Sequence, residues 1–208
     1  GLILATETEA ELASVMAHEL THVTQRHGAR MFEAASQLNI PMIAAMIGSL
    51  ALAVANPEAG SAALMATQAA AAQYQINFTR GNEKEADAIG LRLMSEAGYD
   101  TQKMAVFFER MQRANRYSDP KHIPEYLRTH PITINRIAEA RSRAEMVKPT
   151  IVREDRHEYH LVKAKLRVRS TSDPMRSVNY FLDQLRSGGG YHENVSRYGY
   201  ALALMESG

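Results

Sequence analysis

Cysteine is absent from this 208-residue chain. That excludes disulfides, thiolate metal sites and cysteine nucleophiles, and it leaves His, Asp and Glu as the side chains able to hold a metal. A dominant charge is lacking too. The 24 basic and 23 acidic side chains give a formal net charge of +1, so nothing calls for nucleic acid as a partner. Strand signals are scarce, with weak ones only at residues 2–4 and 150–152. Charge disappears from one long stretch: between Glu33 and Arg80 only Glu58 is charged. No targeting segment is evident. The chain opens on Gly1 and reads as a piece of a longer protein, so this last absence excludes nothing.

What is present is mostly helical pattern. Thr8 and Glu11 have the spacing of a capping box, and Leu12, Val15, Met16, Leu20 and Val23 follow at helical spacing, which predicts one helix over residues 8–30. The charge-poor segment reads as two apolar arms joined by the turn "NPEAG" at 56–60. The first arm, about 40–55, falls short of the ~20 residues of a bilayer span, and Pro41 and Gly48 weaken it. A packed core or mobile lid is the favoured reading; a surface membrane contact and a true span are the alternatives. A helix over 82–97 follows, with Asn82 as N-cap and Gly98 as C′ residue. Further helices are predicted over about 101–115 and 132–146, separated by a polar loop at 117–131. Beyond Pro149 comes a charged connector with a short helix, then two helices divided by residues 188–190.

The residues His18-Glu19-Leu20-Thr21-His22 form an H-E-x-x-H match. On a helix, positions i and i+4 share a face about 6 Å apart. Two imidazoles so placed can grip one zinc ion at about 2.0–2.1 Å. Glu19 flanks them and can reach a water as a catalytic general base without binding the metal. His27 falls near the same face but beside Gly28, and reads as a cap or surface residue.

Catalytic zinc needs a third protein ligand. "GNEKEADAIG" offers Glu83, Glu85 and Asp87. Glu83 and Asp87 share a helix face, which suits a metal ligand and an acceptor for an imidazole N–H. Glu85 points elsewhere and is expected in solvent. On residues alone, compensation of the helix dipole explains these acids equally well.

H-E-x-x-H followed by N-E-x-E-A-D-x-x-G resembles the gluzincins of metallopeptidase family forty-eight, which include HtpX, the Oma-type proteases and the CAAX prenyl proteases. "ELASVMAHELTHVTQRH", "FTRGNEKEADAIGLRLMSEAGYD" and "THPITINRIAEAR" carry the likeness over roughly residues 1–149. The resemblance implies a mainly α gluzincin-type metalloprotease domain with a small strand element, its N-terminal part lying outside this chain. It implies one zinc held by His18, His22 and Glu83, with Glu19 as base and Asp87 behind the ligands. It also implies a periplasmic enzyme acting on polypeptides, misfolded outer-membrane proteins among them, alongside the outer-membrane assembly machinery. Residues 150–172 then serve as connector. Residues 173–208 form a helical segment, with "YGYALALMESG" as the expected start of tetratricopeptide repeats.

His130 in "THPIT" precedes Pro131, which disfavours helical geometry there and places it at a loop end. A histidine in that setting is most often structural. The resemblance brings it to the cleft with two roles open: donor to the oxyanion, or fourth zinc ligand that closes a latent site. The latch is the favoured resting state. His157 and His160 in "HEYH" read as a solvated helix face without a carboxylate partner. The function expected is a zinc endopeptidase. The rivals are a protease-like chaperone or scaffold with a latent zinc site, and a membrane-associated processing peptidase.

Overall fold

The computed structural model describes residues 2–117, 125–187 and 193–208, and every regular element among them is a helix. The expected small strand element is not found among these residues. Residues 2–4 lie instead in a helical turn, α1 (Leu2–Ala5). Thr6 closes it, its N–H on Leu2 O (3.2 Å) and its hydroxyl on Ile3 O (2.8 Å). Local bonds thus satisfy the backbone without a partner strand. Near 150–152 one long-range backbone bond forms, from Arg153 N to Gly98 O (2.8 Å), which falls short of a ladder.

α2 (Glu9–Thr24) starts where the sequence indicates. Thr8 Oγ1 accepts from Glu11 N (3.2 Å), while the Glu11 carboxylate accepts from Glu7 N (2.6 Å). The single helix expected over 8–30 is broken. Arg26 takes a left-handed conformation (φ 54°), and α3 (His27–Ala55) starts anew. A non-glycine residue there costs about 1–2 kcal/mol. The turn swings His27 back against His22, with ring centroids 4.7 Å apart.

α3 runs through Pro41 for 29 residues, well beyond the arm expected over 40–55. It is long and apolar enough to cross a membrane. α4 (Pro57–Glu96) follows after Asn56, whose side chain accepts from Ala59 N (3.0 Å). The two helices pack on each other as a hairpin. Gly60 permits their close approach, since a Cβ there would lie 2.3 Å from Ala53 Cα. The packed core favoured for this segment is not what forms: of its large apolar side chains none is buried, and Ile40, Leu50 and Val54 are 72–88% exposed. No helix begins at Asn82, because α4 passes straight through it. Gly98 does take the left-handed C′ conformation (φ 79°).

The body is built from α2, the C-terminal half of α4, α5 (Gln102–Tyr117), α6 (Glu125–Thr129) and α7 (Ile134–Met146). Their shared core includes Val15, Leu91, Met94, Met104, Phe107, Phe108 and Ala140. Gly90 lets α4 lie against the His18 backbone; a Cβ there would meet His18 N at 3.3 Å. Thr133 caps α7 by accepting from Arg136 N (3.3 Å), so the helix starts directly after His130 and Pro131. α8 (His157–Ser170) touches α1 through Tyr159 and Thr6, whose hydroxyls lie 2.9 Å apart. With α9 (Pro174–Arg186) and α10 (Glu193–Ser207) it forms a second cluster around Ala164, Val178, Phe181 and Ala203.

Candidate metal centre

His18 and His22 stand one turn apart on α2, and α4 brings Glu83 across from them. The loop end before α7 supplies His130. One donor atom from each of these four side chains lies within 4.8 Å of the others. His18 Nε2 is 3.0 Å from His22 Nε2 and 3.3 Å from His130 Nδ1. Glu83 Oε1 is 2.9 Å from His130 Nδ1 and 3.3 Å from His22 Nε2. Four donors bound tetrahedrally at about 2.0–2.1 Å are separated by about 3.3–3.4 Å, close to this spread.

Proton positions follow from the outer contacts. His18 Nδ1 donates to Asp87 Oδ1 (2.9 Å), which leaves its Nε2 lone pair facing the cluster. His27 Nε2 donates to Glu85 Oε2 (3.3 Å), so its Nδ1 accepts from His22 Nδ1 (2.9 Å). His22 Nε2 is then also a bare lone pair. Arg30 Nη1 anchors Glu85 at 2.9 Å. Imidazole lone pairs and a carboxylate therefore converge with too few protons between them, a donor set suited to a cation.

His27 is thus buried against His22, and its reading as a cap or surface residue is corrected by the left-handed turn at Arg26. Glu85 is corrected as well. It is half-buried and holds both His27 and Arg30.

Arg136 is the side chain that sequence reasoning missed. It is 4% exposed. Its Nε and Nη2 donate to the two Asp87 oxygens (2.8 Å each), and Nη1 lies 2.7 Å from Glu83 Oε2. Phe108 lies under the guanidinium at 4.9 Å. Burial works against the Glu83 charge. The His130 ring beside it (2.9 Å) and the charge of Arg136 nevertheless hold that carboxyl far below the usual carboxylate range. Burial opposes ionised Asp87 too, and His18 and Arg136 again prevail to hold it low. The only sequence signal for Arg136 was its place after "THPITIN", on the buried side of α7.

Glu19 stands apart from this set. Its side chain is 43% exposed, and Oε1 is 3.4 Å from His130 Nε2. The Tyr126 ring lies against His130 with centroids 5.2 Å apart. His157 and His160 belong to α8 and are not part of the cluster. His160 does have a carboxylate neighbour, with Nε2 3.4 Å from Asp155 Oδ2.

Comparison with known proteins matches residues 1–144 to peptidase family M48. The chain belongs to peptidase family M48. It is 39% identical over its full length to the beta-barrel assembly-enhancing protease of Escherichia coli (strain K12), and 38% identical to that of Yersinia pestis. In each case it spans 42% of the relative. The human mitochondrial metalloendopeptidase OMA1 is 29% identical over 130 residues, 61% of this chain and 24% of that protein. The M48 match takes in α2, α4 and α7, the helices that carry or frame the four-residue cluster.

Proposed function

We propose that this chain is the peptidase portion of a zinc-dependent endopeptidase. The convergence of the His18, His22, Glu83 and His130 donor atoms beside the part-exposed Glu19 carboxylate carries the reading. His18, His22 and Glu83 would hold the ion. Asp87 and His27 would orient the two imidazoles, and Arg136 keeps Glu83 and Asp87 ionised. When bound, zinc supplies Lewis-acid polarisation of the scissile carbonyl and makes water acidic near neutral pH. Glu19 takes the proton of the attacking water on its carboxylate and passes it to the leaving amine. Its exposure suits a group that must face both substrate and solvent.

In the resting state His130 is a latch. Its Nδ1 occupies the fourth place in the cluster while Nε2 faces Glu19, so one ring covers both the metal position and the base. An oxyanion donor would instead leave the fourth place open. His130→Ala should increase proteolysis if the ring is a latch, and lower it with zinc retained if the ring is an oxyanion donor. The latch also gives weight to a second reading, a chaperone-like scaffold whose zinc site stays closed.

The substrates on this reading are polypeptides, misfolded outer-membrane proteins among them. The site of action is the periplasm beside the outer-membrane assembly machinery. The names of the E. coli and Y. pestis relatives support this. α9 and α10, packed with Gly199 against Phe181, are read as the opening of a tetratricopeptide array.

The test pairs zinc content with casein cleavage. Glu19→Gln should keep about one zinc per chain and lose hydrolysis. Loss of metal in that variant would move Glu19 among the ligands and overturn the assignment.

A further inference from the structure

The α3–α4 hairpin packs inside out by the standard of a water-soluble helix pair. Its inward positions are small: Ala53 meets Gly60, and Ser49 is buried between the arms. Its outward positions are large and apolar. Ile40, Ile43, Ile47, Leu50 and Val54 form a stripe at helical spacing, 55–88% exposed, and Met65 on the other arm is 71% exposed. In water the hydrophobic effect drives the opposite arrangement. Small residues between helices and large ones outside is the pattern of helices packed in lipid.

Three more observations point the same way. The hydroxyls within the arms are satisfied by their own helices, as hydrocarbon demands: Ser49 donates to Ala45 O (2.8 Å) and Thr67 to Ala63 O (2.9 Å). Both arms also lose their apolar character at one height. Residues 40–55 precede the turn and residues 57–72 follow it, with Gln68 as the one amide side chain within the second arm, and below that level come Asn39, Gln37, Gln73 and Gln75. Each apolar arm is about 24 Å long at the helical rise. That length brings the one ionisable group, Glu58 at the tip, near the far side of a hydrocarbon layer about 30 Å thick. Finally, the base carries an interfacial belt. Tyr74 and Phe78 stack there with centroids 6.5 Å apart, Phe32 is 80% exposed, and Arg26, Arg30, Arg80 and Lys84 lie just beyond. Aromatic rings and basic side chains at that level suit the headgroup region.

We propose that the hairpin inserts its distal part, residues 40–72, into a phospholipid bilayer and so holds the His18–Glu83 site at the membrane surface. A protein partner, or a second copy of the chain, would need one apolar face on the hairpin. Here large apolar side chains project from both arms away from their shared seam, which only a fluid solvent can cover on all sides.

The chain has no cysteine, so single-cysteine variants of the full chain carry a fluorophore cleanly. An environment-sensitive dye on Leu50→Cys and Leu64→Cys should shift to the blue on adding vesicles of phosphatidylethanolamine and phosphatidylglycerol, and brominated acyl chains should quench it. The same dye on Val106→Cys, an exposed position on α5, should do neither. The chain should float with those vesicles, and Ile47→Lys with Leu50→Lys should lower the bound fraction at least tenfold at unchanged helicity and zinc content. Dyes at 50 and 64 that ignore the vesicles would overturn the proposal, even if the lysine variant fails to fold. So would a blue shift that needs no vesicles and follows protein concentration in step with dimer formation by sedimentation. That result would assign the face to a second copy.

Discussion

Glu83 and Asp87 lie towards one end of α4, and Gly60 and Leu64 towards the other. At the first end, ionised groups are buried and each has a partner, while large apolar side chains such as Phe107 and Phe108 are wholly covered. At the second end, nothing ionised is buried, small residues fill the seam and large ones face outward. One continuous helix thus passes between two solvents' rules. The lesson is that helix continuity says nothing about which environment covers a segment; the size and placement of side chains around the seam do.

The largest effect that sharpens the contrast concerns deletion of apolar bulk. Phe107→Ala should destabilise the chain in water by about 3–5 kcal/mol, because a fully buried ring leaves a cavity. Ile47→Ala, 64% exposed in the hairpin, should stay within about 0.5 kcal/mol. Urea unfolding of both variants without lipid measures the difference. A large loss for Ile47→Ala would mean that the hairpin is covered by protein after all.

The same division decides what could be read from the sequence. The residues that the structure gathers at the cluster, His18, His22, Glu83 and His130, were all named from motif and resemblance, because ligand sets leave a spacing. The cap at Thr8 was legible because its side chain makes it; that at Thr133 was not named, the helix being expected from 132. The break after Thr24 was not legible, since Arg26 carries no left-handed signal and the turn is held by His27 against His22. Nor was the continuity of α4. Asn82 looks like an N-cap locally, but packing of residues 82–94 on α2 overrides that preference. Arg136 was invisible because its partners lie 49 and 53 residues away, on another helix.

Within the body, the outer contacts of the cluster give the next effects. Arg136→Met leaves Glu83 and Asp87 buried without their cation, and removing one partner of such a group costs about 3–5 kcal/mol. Metal-free unfolding should show that loss. His27→Phe keeps the ring but removes the acceptor for His22. Zinc affinity, measured by competition with a chelator, should fall about 10–100-fold. Unchanged affinity in His27→Phe would reduce the His22–His27 contact to packing.

Glycine positions probe the seam of the hairpin more gently. Gly60→Ala forces a Cβ to within 2.3 Å of Ala53 and should cost about 1–3 kcal/mol. Gly48→Ala meets nothing within 4 Å and should stabilise α3 by up to about 1 kcal/mol. Thermal unfolding that ranks them the other way round would break the assignment of the seam.

The smallest expected effect lies at the start of α2, where the body holds an acid near its surface. Glu9 accepts from Arg156 at its backbone N (2.9 Å) and Nε (2.7 Å), and from Tyr99 Oη (3.3 Å). Burial works against its charge, but the Arg156 bonds outweigh that and hold the carboxyl below its ordinary value near 4.5. A carboxyl that is more acidic when folded contributes stability above its unfolded value and loses it as pH falls through the folded one. Arg156 is largely in solvent, so screening keeps the effect small. Metal-free wild type should therefore exceed Glu9→Gln in urea midpoint at pH 6, and the gap should close as pH drops below about 4.5. A gap that widens on acidification would mean that Glu9 binds its proton more tightly in the folded chain, and that the Arg156 contact does not hold the charge in place.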